Sequence, residues 1–493
     1  MKRTTRAMVL AALGAAFATV ADAPAQEVRD FFNIVAPNGA DPWVYRHDDG
    51  WYYITYTTGR DVTLRRSRTI SGLGGAESRV IWEPAPGTPY SKEIWAPEIH
   101  HLRGKWYVYV AADDGRNANH RMVVLENPAA DPFEGEFVFK GKLADQSDRW
   151  AIDGTVLKLG EGEAERLYFV WSGWEGDRNV DQRTYIAPMS DPAAISGPRV
   201  ELSRPTLDWE KAAGPPTINE GPQALVRDGR MFLIYSAAGS WSDFYCLGML
   251  SAKADADPLD PASWTKAPAP VFASGNDVTA PGHCSFTKSP DGSQDWIVYH
   301  AAKRPGSGWS RSVRAQPFTW DADGFPDFDV PTPHDRPIPV PSGEPGRLRL
   351  EAEKARLEGG AKAEAAEGAS GGSGVSLAGV ESRATFDVPV AEAGTYVVAV
   401  RYRREPAGEG ERNARVDQRV LVDDRPAGTI AYPDSGGGRW SAAFARLALG
   451  AGTNRVSLAP GAGRAEIDAL DVILDPLPPD APTPASPKGR RAR

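Results

Sequence analysis

The chain has 493 residues, 41% of them hydrophobic and 25% charged, with a formal net charge of −9. That is room for two or three domains with full cores in an ordinary folded composition, which excludes wholesale disorder. An acidic balance without a basic stripe excludes nucleic acid as a natural partner.

The first residues, MKRTTRAMVLAALGAAFATVADAPAQ, combine a basic start (Lys2, Arg3, Arg6), a short apolar run from Ala7 to Val20 and small-residue cleavage points at Ala23 or Ala25. This pattern predicts a secretory signal peptide over residues 1–25, since the apolar run is too short to span a bilayer. No later segment is apolar enough to do so, and the expected product is a secreted or periplasmic monomer free of the membrane. Two cysteines, Cys246 and Cys284, leave two alternatives open, one disulfide or two buried thiols.

From there the chain repeats one pattern five times: a small or acidic start, an apolar strand, a Gly-containing turn, then a strand rich in Tyr and Trp. The units open near Asp41, Pro97, Asp153, Glu220 and Gly282, at a spacing of roughly 55 to 67 residues, enough for a four-stranded sheet. The turns Asp49-Gly50, Arg103-Gly104, Asp228-Gly229 and Asp291-Gly292 separate the first two strands of their units. The expected fold is all-β, a five-bladed β-propeller over residues 30–343.

Near Pro331 the pattern stops at PTPHDRPIPVPSGEPG, whose prolines predict a stiff connector rather than sheet or helix. A second all-β unit, a β-sandwich of the jelly-roll kind, is expected over 347–475, with strands at RLRLEAE, SRATFDVPV, GTYVVAVRYRR, QRVLVDD, FARLALG, NRVSLAP and IDALDVIL. Within it GGAKAEAAEGASGGSG reads as a mobile loop, and the Pro-rich tail 476–493 reads as disordered.

Chemistry enters through Asp41, Asp153 and Glu220, each at the head of an inner strand. Alone, each is an ordinary turn residue. In a propeller the heads of the inner strands meet at one mouth of the central channel, so the three carboxylates are expected to converge. Cleaving an acetal needs one carboxyl to protonate the leaving oxygen and another to act from the opposite face of the sugar. A third nearby keeps the acid protonated by repulsion. Trp43, Trp95, Trp171, Trp174 and Trp241 surround the expected mouth and are candidates to stack on a sugar, Trp95 foremost, although most propeller tryptophans are packing.

The segments ADPWV, IWAPEIHHLRGKWYVYV, AIDGTVL, NEGP and GHCSF, with the Arg-rich GWSRSVRAQPFTWDADGFP, resemble glycoside hydrolase family 43 from about Asn33 to Gly343. The resemblance implies Asp41 as general base, Glu220 as general acid and Asp153 as the residue that tunes the acid's pKa, with inversion of anomeric configuration. It implies an arginine beside the base, Arg311 or Arg314, and a histidine, His283, facing calcium or another cation in the channel. No catalytic cofactor is implied. The segments WSGWEG and INEGPQAL are most similar to exo-acting α-L-arabinofuranosidases. The implied partners are plant cell-wall polysaccharides and oligosaccharides, arabinan and arabinoxylan. β-Xylosidase and a non-catalytic sugar-binding propeller are the alternatives. The second unit, through LEAE, AGTYVVAVRYR and AGTNRVSLAP, is similar to carbohydrate-binding modules of families 6 and 35. That likeness implies a structural calcium ion at Glu351, Glu353 and Asp468, the two glutamates sharing a strand face. Trp440 is either a sugar platform or a packed residue.

Overall fold

A computed structural model describes residues 25–404 and 414–477. The signal-peptide reading, but for Ala25, and the tail beyond Leu477 fall outside the described residues. Among these, helix is confined to six single-turn 3-10 segments.

Five groups of antiparallel strands follow one another along the chain, spanning Trp43–Trp82, Lys92–Leu143, Ala151–Ser203, Thr217–Lys266 and Thr279–Asp327, the third and fourth also joined by a short parallel pairing of Asp181 and Gln182 with Thr217 and Ile218. Each is a blade. The turn dipeptides sit where expected: Arg103 and Gly104 have φ of 50° and 77°, and Asp228 and Gly229 have 45° and 75°. These are the left-handed pairs that a two-residue hairpin requires.

Side chains on a strand alternate between its two faces, and every blade is covered on both faces by a neighbour. Tyr52 and Ile54 of the first blade pack with Trp296 and Val298 of the fifth. Tyr53, between them, packs with Ile99 and Trp106 of the second. Tyr109 and Met122 meet Phe169 and Trp171 across the next gap, and Val170 meets Leu233 and Tyr235 across the one after. Phe232 and Ile234 complete the circuit with Ile297 and Tyr299. Five apolar layers, each shared by two blades, close the ring. Burial of both faces explains why the strands read as nearly continuous apolar runs. Cys246 and Cys284 are two free, buried thiols.

The ring is sealed by the N-terminal segment, where Ala36 and Val313 of the fifth blade exchange backbone hydrogen bonds of 3.2 and 2.9 Å. The expected connector turns out to be paired: Pro337–Pro339 forms a short strand against Asp30–Phe32. The prolines fall at alternate positions, so Ile338 supplies the one N–H of the segment, an arrangement that an edge strand tolerates.

Residues 347–477 form two antiparallel sheets around one core. The larger includes Gln26–Val28 from the beginning of the chain, paired with Arg347–Arg349. The expected mobile loop is a hairpin instead, Lys362–Ala365 against Ser373–Ser376, anchored where the Ser370 N–H donates to Asp468 at 2.8 Å. The junction with the propeller is tight. Glu344 is buried and accepts from the Ser71 N–H at 3.2 Å. A Cβ on Gly75 would lie 2.4 Å from the Val397 methyl across the junction. Valine is stiff at χ1. Gly75→Ala is therefore expected to destabilise the protein by about 1–3 kcal/mol, read as a lower midpoint in urea unfolding.

Candidate active site

Each inner strand has a kink at or near its start. Asp41, Ala96, Asp153 and Gly221 have φ of 54°, 43°, 56° and 55°, and His283 has 39°. In four of the blades this kink lies within a bulge, between Trp95 and Glu98, Ile152 and Thr155, Glu220 and Gln223, and Gly282 and Cys284. A bulge re-aims a side chain at the end of a strand, and left-handed φ in a residue with a side chain is strain of the kind held at functional sites. The second blade carries Ala96 at this point, and its nearest charge is the buried Glu98, which adds to the upward shift of His283.

The kinks bring Asp41, Asp153, Glu220 and His283 together. His283 Nδ1 lies 3.2 Å from Asp41 Oδ1 and 4.0 Å from Asp153 Oδ2. The backbone N–H of Gly221, next to Glu220, donates to Asp153 Oδ2 at 3.0 Å. Asp41 is oriented from several sides. The Thr57 hydroxyl donates to Oδ2 at 2.5 Å, and Thr57 is itself held by the Ala96 N–H at 2.7 Å. Arg311 Nη1 stands 3.6 Å from Oδ1. His300 Nδ1 accepts the Asp41 backbone N–H at 3.0 Å, which leaves its proton on Nε2. Burial, with Arg311 and His283 nearby, drives the His300 pKa well below its ordinary value. Its 3.4 Å approach to Asp41 is therefore contact with a neutral ring rather than an ion pair.

Glu220 has one committed oxygen and one free. The Tyr245 hydroxyl donates to Oε1 at 2.8 Å, so Oε2 is available to carry a proton. Burial raises the Glu220 pKa, with Asp41 adding to the rise, against the pull of Tyr245 and His283. Burial also raises Asp153, and the Glu220 and Asp41 charges reinforce it while His283 opposes. Burial is the larger cause for both, and because the groups interact they titrate as a coupled pair. Burial lowers the His283 pKa, but Asp41, Asp153 and Glu220 outweigh it and the net shift is upward. Two buried carboxyls with raised pKa, a third carboxyl oriented by its neighbours and a histidine with raised pKa meet at one mouth of the ring.

The remaining expected residues divide. Trp95 is half-buried and stacks on His120 at 4.1 Å, and His120 is fixed by Asp113 at 3.0 Å. Trp241 is 38% exposed. Trp43 packs in the layer between the first and second blades, 4.6 Å between its ring centre and that of His100. Trp171 is core. Trp174 is corrected to a packing residue, 4% exposed and stacked on Trp150 at 4.6 Å. Of the two arginines, Arg311 reaches Asp41, while Arg314 is buried on the opposite strand face and donates to the Thr332 carbonyl at 3.2 Å. Strand alternation separates them.

Three of the residues read as cation ligands, His283, Asp468 and Glu351, have other partners among the described residues. Among the described residues no group of three or more His, Cys, Asp or Glu is gathered to hold a metal ion. The His283 Nδ1 is turned to Asp41. In the second unit Arg401 pairs with Asp468, and the Ser370 hydroxyl donates to Glu351 at 2.6 Å. Glu353 lies in a 3-10 turn, off the strand that ends at Glu351, so the two do not share a strand face. Trp440 is a packed residue, with Arg401 and Arg403 over its ring at 5.1 and 4.8 Å.

Sequence reasoning missed Thr57, Tyr245 and His300. Tyr245 comes from the loop just before the third strand of the fourth blade and His300 from the second strand of the fifth, positions that reach the mouth only through the packing of the ring. The end of the fifth-blade strand, VYHAA, which repeats the IYSAA of the fourth blade with histidine for serine, was the available signal for His300.

A propeller whose axial mouth gathers a buried proton-bearing carboxyl and an oriented carboxylate has the equipment of a glycoside hydrolase. The chain belongs to glycosyl hydrolases family 43, whose sequence pattern matches residues 33–326. It is 38% identical over 361 residues to alpha-L-arabinofuranosidase 43 of Humicola insolens, covering 71% of this chain and 72% of that one. An extracellular exo-alpha-(1->5)-L-arabinofuranosidase of Streptomyces avermitilis is 39% identical, over 63% of this chain and 66% of its own. Among solved structures, an alpha-L-arabinofuranosidase from Lactobacillus brevis superposes with a TM-score of 0.57 at 36% identity, covering 62% of this chain and 98% of that one.

Proposed function

We propose that the protein is a secreted, inverting, exo-acting α-L-arabinofuranosidase that releases arabinose from α-1,5-arabinan or arabino-oligosaccharides. The observation that carries the chemistry is the joining of the three carboxylates through His283 and the Gly221 N–H. The relatives named above support the choice of sugar.

In this reading Glu220 donates its proton from Oε2 to the leaving glycosidic oxygen. Asp41 takes a proton from the water that attacks the anomeric carbon from the other side. Arg311, Thr57 and the His300 ring hold Asp41 in line, and Asp153 keeps the acid charged with its proton. Trp95, braced by His120, faces the sugar at the channel mouth. The unit 347–475 is proposed as a carbohydrate-binding module on its resemblance alone. No helix among the described residues is long and apolar enough to cross a membrane, and the extracellular relative supports secretion.

The test is to identify what the purified protein releases from linear arabinan, arabinoxylan, an aryl arabinofuranoside and an aryl xyloside. Free arabinose alone from linear arabinan is expected, and proton NMR during the first turnovers should show the β-anomer forming before mutarotation. Xylose as the main product, a ladder of arabino-oligosaccharides, or the α-anomer first would each overturn part of the reading.

A further inference from the structure

Two loops at the site end of the ring carry large rings that the catalytic scheme leaves unused. The loop between the second and third strands of the fourth blade holds Trp241 and Phe244, and its counterpart in the fifth blade holds Trp309. Trp309 is 70% exposed and Phe244 61%. Aromatic rings are usually far more buried, and side chains this open on adjacent loops mark a surface that something covers.

The loops are tied down. The Asp243 carboxylate accepts the Gly306 N–H at 2.9 and 3.0 Å. The Trp309 indole N–H donates to the Ser240 hydroxyl oxygen at 3.3 Å, and Ser242 donates to the Ala238 carbonyl at 2.7 Å. They are also tied to the chemistry. Arg311, the arginine beside Asp41, donates from Nη2 to the Ser240 carbonyl at 2.6 Å. Tyr245, the residue after Phe244, holds Glu220. The loops that carry the exposed rings are thus bonded to the residues that hold both Asp41 and Glu220.

We infer that Trp309, with Phe244 beside it, forms an aromatic platform for the sugar unit that departs, so that cleavage is selective for a saccharide leaving group. This rests on the arabinofuranosidase reading, and its occupant follows from position. The acid protonates the oxygen shared by the two sugars, so the departing unit extends from the fourth blade over the rim where these rings lie. A furanose presents a C–H face that a flat ring covers well, whereas the pocket beneath holds the arabinose whose bond is cut.

The test compares arabinotriose with methyl α-L-arabinofuranoside, whose leaving group is too small to reach the rim. In Trp309→Ala and in Phe244→Ala, the ratio of kcat/KM for arabinotriose to that for the methyl glycoside is expected to fall at least about tenfold for tryptophan and less for phenylalanine. Trp309→Phe should restore most of the ratio, because a ring is returned without the indole N–H bond to Ser240. A ratio unchanged in Trp309→Ala, or a proportional fall on both substrates, would overturn the platform, the latter by making Trp309 only a prop for the loop and Arg311. Wild-type protein inert on both substrates would instead overturn the arabinofuranosidase reading on which the platform stands.

Discussion

Glu220→Gln is expected to lower kcat on arabino-oligosaccharides by on the order of 10³-fold, the usual share of a positioned acid or base. The amide still accepts the Tyr245 hydroxyl bond on its oxygen, so the pocket keeps its shape while the proton is gone. The loss should depend on the leaving group. An aryl arabinofuranoside with a strongly acidic phenol departs without protonation, and on that substrate Glu220→Gln should recover most of its rate. Asp41→Asn, which loses the base, should fall by a similar factor on the oligosaccharide and show no recovery on the activated aryl substrate. Steady-state kinetics of both variants on both substrates reads the assignment directly. Rescue of Asp41→Asn in place of Glu220→Gln would exchange the two roles, and rates near wild type in both would remove them.

Asp153→Asn is expected to trade activity for stability. Asp153 is buried, and its carboxyl is pushed upward by that burial and then by the Glu220 and Asp41 charges. A carboxyl raised by folding stabilises the native state below its unfolded value near ~4 and forfeits that contribution as pH climbs through the folded value. The amide titrates nowhere in this range and still accepts the Gly221 N–H. The variant should therefore melt at a higher temperature than wild type at pH 7.5, with the difference closing toward pH 4. Activity should move the other way. Without the second carboxyl to share and hold the proton, Glu220 loses it at lower pH, so the basic limb of the kcat/KM profile shifts downward and kcat falls about 10²-fold. Differential scanning fluorimetry across pH and a pH–rate profile separate the two effects. A variant less stable than wild type at pH 7.5, or with an unmoved basic limb, would contradict the electrostatic role of Asp153.

Much of this was legible in the chain because propeller blades are local objects. A strand such as MFLIYSAA, with both faces buried, reads as an apolar run, and Asp228-Gly229 announces the hairpin before it. The carboxylates were legible for the same reason, since Asp41, Asp153 and Glu220 each stand at the same point of a repeat. The supporting residues were not. Tyr245 reaches Glu220 from 25 positions away and His300 reaches Asp41 from 259, and neither occupies a position that the repeat makes special. The choice between Arg311 and Arg314 was within reach, because three residues along a strand reverses the face, but which face looked inward depended on the seating of the fifth blade. Exposure was the least legible property. Trp174 and Trp309 are both tryptophans next to glycine in loops of similar look, yet one stacks beneath the surface and the other stands out from it.

The amino-acid sequence alone determined the number of blades, the strands within them and the carboxyl groups at their heads, because these depend on alternation, turn chemistry and repeat spacing within a few tens of residues. Tertiary structure decided the rest: the strand Gln26–Val28 joining a sheet more than three hundred residues away, the proline segment finding an edge to pair with, and the protonation pattern of the site. Closing the ring brings together groups that have no neighbourhood in the chain. Their charges acquire altered pKa values only when burial and mutual repulsion act on all of them at once.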